Sequence, residues 1–198
     1  MYWPDNEAWP TCITPWYSGN GATGWQPHSA PNPLVPILQL FAADAPTICF
    51  PVGSDLLQLL WCPVIHRDLP RQRDAYAPSV KVIWRNSTDI RALSSPPPNP
   101  IDFEDESIPA PCSLHPEQIV EYRQELHDAL WDKIRDLDEL GWNGTNLSYQ
   151  YDLSVAPGTK VGGWPRWHAL DPYPMPCADC GRELELLVSF DTSERDEG

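Results

Sequence analysis

Positive charge is scarce in this sequence: its 198 residues hold 13 Lys and Arg against 28 Asp and Glu, a formal charge of −15. Nucleic acids and anionic membrane surfaces are bound through positive patches, so neither is an expected ligand. Long apolar runs are also missing, since no stretch approaches the roughly 20 residues of a membrane-spanning helix. The first residues, Met1-Tyr2-Trp3-Pro4-Asp5, lack the basic and apolar regions of a secretion signal, and the expectation is a cytoplasmic protein. Catalytic frames are absent as well. There is no G-x-S-x-G elbow and no H-E-x-x-H, and the glycine-rich stretches 19–24 and 158–163 fit neither phosphate-cradling pattern.

What is present is proline and tryptophan, 24 and 10 residues respectively, mixed together instead of segregated into low-complexity runs. Prolines placed in this way mark rigid turns and strand ends, and 41% hydrophobic content suffices for a core, so residues 1–198 read as one domain. Residues 1–33 form a Trp/Pro-rich leading segment without a period, expected to lie across a sheet as irregular chain anchored by its aromatics. Short apolar runs at 35–41 and 55–62, each carrying Leu-Gln-Leu, have the pattern of strands covered on both faces. The alternation at 80–85 suits a strand with one wetter face.

Residues 94–110 combine a proline cluster with Asp102, Glu104, Asp105 and Glu106 and read as an exposed acidic loop with solvated charges. A helix is expected over 124–140, where Leu126, Leu130, Ile134, Leu137 and Leu140 recur every three or four residues, with Gly141 placed to end it. Strands are expected at 118–122, 153–156 and 185–190, the last followed by a polar tail at 191–198.

Six cysteines in a reducing compartment are expected to be free thiols or metal ligands before they are disulfides. Cys177-Ala-Asp-Cys180-Gly181 is the most specific local motif, because two thiolates on one tight turn can grip a soft metal ion. A tetrahedral zinc site needs two further ligands, and the candidates are Cys62 with His66 or Cys112 with His115. Filled entirely by protein side chains, such a site would hold a structural zinc. Free thiols in a core or turn, and a redox pair at Cys177 and Cys180, are the competing readings.

Three stretches together resemble the YwqG-like family of bacterial proteins of unknown function. They are Trp3-Pro4 with Trp9-Pro10 and Cys12; Phe50-Pro51-Val52-Gly53-Ser54-Asp55 running through Leu59-Leu60-Trp61-Cys62-Pro63 to His66; and Lys160-Val161-Gly162-Gly163-Trp164-Pro165-Arg166-Trp167. The carboxyl part also resembles, more loosely, the programmed-cell-death protein 2 family. The YwqG-like resemblance implies an α+β fold of related sheet-containing halves and brings no activity; the apolar period and the prolines add one main amphipathic helix and many Pro-rich loops. Relatives usually carry several dozen residues before the Trp-Pro segment, so an opening strand is expected to be missing and a sheet edge exposed, open to an oligomer or a partner strand.

The functional expectation is a non-enzymatic acidic protein-binding module, immunity-protein-like or chaperone-like toward a basic partner, with Trp164 and Trp167 as partner-binding aromatics. The alternatives are an enzyme of unknown reaction built from dispersed Asp55, His66, Cys112 and His115, and a zinc-stabilised structural domain.

Overall fold

The computed structural model describes residues 1–17, 24–66, 69, 78–90, 96–140, 147–167 and 173–191, the last five residues of 96–140 by their backbone only. The chain divides into two compact units, Met1–His115 and Pro116–Gly198, and the architecture is α+β.

The amino-terminal unit is built on a three-stranded antiparallel sheet in the order β5 (Val35–Phe41), β6 (Leu56–Ile65), β7 (Pro78–Arg85). The central strand is apolar on both faces and nearly all of it is buried, as expected of a run that does not alternate. It extends three residues past the expected end at Cys62, carrying the chain through Pro63 and Val64 towards His66. Pro63 is tolerated where the ladder to β7 slips between Trp61 and Ile65, because a missing N–H costs nothing at an irregular step.

The two Leu-Gln-Leu motifs are direct cross-strand partners: Leu38 faces Leu59, Gln39 faces Gln58, and Leu40 faces Leu57. Fully buried Gln58 is satisfied on every side. It donates to Tyr2 O and to Gln39 Oε1 (3.2 Å) and accepts from Arg85 Nε at 2.8 Å.

The leading segment lies across this sheet, and it holds four short strands: β1 (Thr11–Cys12) pairs with β4 (Asn32–Pro33), and β2 (Trp16–Tyr17) with β3 (Trp25–Gln26). Trp3, Cys12 and Leu34 pack with Leu60, Cys62 and Val64, supported by Trp9 and Trp16. The indoles take backbone acceptors, Trp3 Nε1 donating to Glu7 O and Trp9 Nε1 to Leu34 O. Arg85 adds a polar tie. It grips both carboxylate oxygens of Glu7 at 2.6 and 2.7 Å while its guanidinium lies 4.6 Å from the centre of the Trp3 ring.

In the carboxy-terminal unit, helix α1 (Asp128–Leu140) starts four residues later than its apolar period suggests. Gln124 is taken by another role: it sits in a bend before the helix, and its side chain accepts from Trp167 N–H (3.0 Å) and donates to Trp167 O (3.2 Å). His127 then caps the helix, its Nδ1 accepting from Ala129 N–H. The expected apolar stripe is only partly covered, with Leu130 51% exposed. The side chains of Leu137 and Leu140 lie outside the described residues, as does Gly141.

Two expected strands are not formed. Residues 118–122 belong to no strand, Tyr122 N–H donating to Ser154 O (2.8 Å), and 153–156 form none either, Leu153 ending a π-helical turn, Tyr149–Leu153, that Ser148 caps. Of 185–190, only β9 (Val188–Ser189) pairs, with β8 (Lys160–Val161).

The structural centre of this unit is the Glu121 carboxylate, 8% exposed. It accepts from Lys160 Nζ (2.6 Å), from Ala156 N–H (2.9 Å) and from Trp164 N–H. Gly163, at φ +75°, makes this possible, since a Cβ at that position would overlap the carboxylate.

Candidate metal centre

Four side chains of the amino-terminal unit converge: Cys12, His28, Cys62 and His66, whose ligating atoms all lie within 4.8 Å of one another. Each is placed by an element already described. Cys62 sits on β6, and His66 follows directly after the strand's end at Ile65, both of them fully buried. Cys12 ends β1 and joins the same apolar cluster as Cys62. His28 lies between β3 and β4 in a segment closed by the pairing of Cys12 with Asn32.

The geometry is that of two sulfurs and two nitrogens around a common point. Cys12 Sγ lies 3.6 Å from His66 Nε2, and Cys62 Sγ lies 3.9 Å from His28 Nε2. A tetrahedral ion with metal–sulfur bonds of about 2.3 Å and metal–nitrogen bonds of about 2.0 Å sets ligand separations of about 3.3–3.8 Å. From separations of at most 4.8 Å the cluster has to contract by about 1 to 1.5 Å at its widest to close on such an ion.

Both imidazoles are oriented by their second nitrogen. His66 Nδ1 lies 3.0 Å from Pro15 O, and since a carbonyl can only accept, Nδ1 carries a proton and Nε2 is the ring atom that faces Cys12. His28 Nδ1 donates in the same way to Asp102 Oδ2 at 2.8 Å. A ligand histidine held by a carbonyl or a carboxylate through its other nitrogen is the usual support of a metal site.

The two thiols share one negative charge. Cys12 is pulled down from the ordinary thiol range chiefly by a hydrogen bond from Cys62, against the cost of burial and with help from His66. Cys62 is pushed up by that same bond, then by burial and by the Cys12 charge. Burial acts to lower His66, but the bonds to Cys12 and Pro15 and the Cys12 charge outweigh it and raise the imidazole. A divalent cation removes the conflict, because two thiolates and one M²⁺ sum to zero. That neutrality suits a place where Cys62 and His66 are wholly buried, Cys12 is 7% exposed and the His28 side chain 2% exposed.

Of the six metal candidates read from the sequence, Cys62 and His66 enter this cluster. Cys112 and His115 are exposed near the end of the amino-terminal unit. Cys177 and Cys180 sit on a hairpin turn of the other unit, closed by Cys177 N–H to Arg182 O (2.7 Å) and Gly181 N–H to Cys177 O (2.8 Å). Among the described residues the one group of three or more potential ligands contains none of these four.

The dispersed residues considered for catalysis form no common group among the described residues. Asp55 accepts from Ser87 N–H and Oγ, both at 2.6 Å, while His66 belongs to the cluster. Trp164 is 40% exposed with Arg123 stacked on it at 4.7 Å, and Trp167 packs on Tyr173 with ring centres 4.9 Å apart.

Cys12 and His28 were missed by reasoning from spacing. Their separations from Cys62 exceed any zinc-ligand motif, and the available signal was indirect: a Trp-rich segment expected to cross the sheet has to bring its own cysteine onto it. No family model, curated protein or solved structure matches the chain. Among the described residues no helix is long and apolar enough to cross a membrane.

Proposed function

We propose that the amino-terminal unit is a zinc-stabilised domain in which Cys12, His28, Cys62 and His66 hold one structural ion. The observation that carries this is the pair of oriented imidazoles, each presenting Nε2 to a cysteine sulfur within a buried four-residue set. The donor chemistry favours zinc, since two thiolates and two imidazoles in tetrahedral array suit a borderline-soft divalent ion. Four protein ligands leave no position for an activated water, so the ion's task is mechanical. It staples the leading segment to β6 across a separation of 54 residues between Cys12 and His66, a closure whose entropy cost the ion offsets.

Cobalt substitution tests this reading. Co²⁺ bound to the full chain should give intense visible bands of a tetrahedral site and near-ultraviolet bands from two thiolates, and zinc should displace it. Weak octahedral bands, or thiolate bands of undiminished intensity in Cys62→Ser, would reject it.

A second reading follows from the acidity. The −15 charge and the exposed Asp105 and Glu106 support recognition of a basic protein by a module without catalysis of its own. Association with such a partner should weaken steeply with added salt. A partner retained equally at low and high salt would count against charge as the basis of recognition.

A further inference from the structure

The acidic segment 101–107 exposes Asp105 and Glu106, as its composition suggests, but through Asp102 and its backbone it is bound to the immediate surroundings of the metal ligands. Asp102 places its carboxylate on His28 Nδ1 (2.8 Å) and accepts two further bonds from the next residue, Ser29 N–H at 3.2 Å and Ser29 Oγ at 3.3 Å. Asn32, fully buried, holds the backbone of the same segment. Its Oδ1 accepts from Ile101 N–H (2.7 Å) and Asp102 N–H (3.1 Å), and its Nδ2 donates to Asp102 O (2.7 Å) while lying 3.9 Å from Cys62 Sγ. The two neighbours of Cys62 complete the attachment: Pro63 O accepts from Glu104 N–H (2.9 Å), and Trp61 Nε1 donates to Ser107 O (2.9 Å). Every anchor is therefore a ligand, a neighbour of a ligand, or the amide that reaches a ligand's sulfur.

We propose that residues 101–107 form a metal-coupled strap and that Asp102 is its positioning residue, fixing His28 as a ligand. The inference rests on the metal-site reading above and extends it to a segment that supplies no ligand. An ion that fixes His28 and Cys62 also fixes the positions to which the strap binds. The coupling is reciprocal by thermodynamic necessity: whatever factor the docked strap adds to metal affinity, the metal adds to strap docking. Outer carboxylate partners of ligand histidines are worth about 10- to 100-fold in affinity, or about 1.4 to 2.8 kcal/mol. The strap carries exposed Phe103, Asp105 and Glu106, so the metal sets the presentation of that acidic surface.

The test compares the full chain with its Asp102→Ala, Asp102→Asn and Trp61→Phe variants. Co²⁺ affinity is read in competition with a chelator, and amide exchange of the strap is read with and without zinc. Asp102→Ala should bind one ion about 10- to 100-fold more weakly, with altered cobalt bands as His28 loosens. Asp102→Asn should recover most of the affinity and the spectrum, since its amide oxygen still accepts from Nδ1–H. Trp61→Phe, which loosens the strap without touching His28, should lower affinity by a smaller factor. Zinc should slow exchange of 101–107 in the unaltered protein, a comparison that stands even if a variant fails to fold. Affinity of Asp102→Ala within twofold of the unaltered protein, or strap exchange indifferent to zinc, overturns the proposal and leaves the metal site standing. An unaltered protein that binds neither Co²⁺ nor zinc overturns both.

Discussion

The two units solve the same problem by opposite means. The amino-terminal unit buries a continuous apolar core around β6 and places its polar exceptions, Asn32, Gln58 and His66, inside it with partners. In the carboxy-terminal unit, Val155 is the one buried apolar side chain among the described residues, and order comes from Glu121 and Gln124 reaching backbone groups. A core closed by thiolate and imidazole ligands depends on its ion, whereas a carboxylate hub depends on its own charge. The two units should therefore fail under different conditions.

Metal removal is the sharpest way to separate them. Structural zinc sites bind with about 10–16 kcal/mol in small domains, most of it folding free energy, so chelation should abolish or strongly lower the unfolding transition of the amino-terminal unit. Peptide-level hydrogen exchange should show the loss confined to residues 1–115, with the carboxy-terminal unit unchanged.

Glu121→Ala is the mirror experiment. It leaves Lys160, whose side chain is 10% exposed, without its carboxylate, and breaking a buried pair costs about 3–5 kcal/mol. Denaturant unfolding should show the loss in the carboxy-terminal unit with metal affinity intact. Gly163→Ala should act in the same direction by crowding that carboxylate and straining a positive φ.

Acid should produce a smaller effect of the same kind. Burial raises the Glu121 carboxyl, but Lys160 and the Trp164 and Ala156 amides outweigh it and hold it below the ordinary 4.5. A folded-state value below the unfolded one contributes stability that is present above about 4.5 and is lost as pH falls through the folded value. Melting of the carboxy-terminal unit followed from pH 6 downwards should show this decline, and Glu121→Gln should flatten it.

The smallest effect is expected at Trp164. Its half-exposed ring gives Arg123 a cation–π contact worth about 0.5–1 kcal/mol, so Trp164→Ala should barely move the melting temperature. A large loss would show that the tryptophan holds the unit together, against the role assigned to Glu121.

The legible parts of the fold were those where local pattern and burial coincide. The run 35–41 is a strand with those bounds, all of 55–62 but Asp55 falls within β6, and 80–85 falls within β7, because each apolar run buries on a sheet. The leading segment was readable as a cover for the sheet because tryptophans must find an apolar surface. The carboxy-terminal strands were misread for a physical reason. Glu121 and Gln124 bind backbone groups 35 to 43 residues away, and those long-range bonds, invisible to any local period, decide the conformation of the chain between them.

The site was half legible. Cys62 and His66 lie close enough in sequence to be paired as candidate ligands, but Cys12 and His28 arrive through tertiary packing alone. The Cys177 and Cys180 pair, with the stronger local motif, belongs to a turn whose closing bonds need no metal. Asp102 read as a solvated charge because its partner, His28, is 74 residues away.

The central claim is that the ion is held by Cys12, His28, Cys62 and His66, and the most direct measurement is native mass spectrometry of the zinc-loaded full chain beside Cys62→Ser and the Cys177→Ser/Cys180→Ser double variant. The account predicts one zinc per chain in the unaltered protein, one in the double variant and none retained in Cys62→Ser. Zinc lost from the double variant, or retained in full by Cys62→Ser, would contradict it.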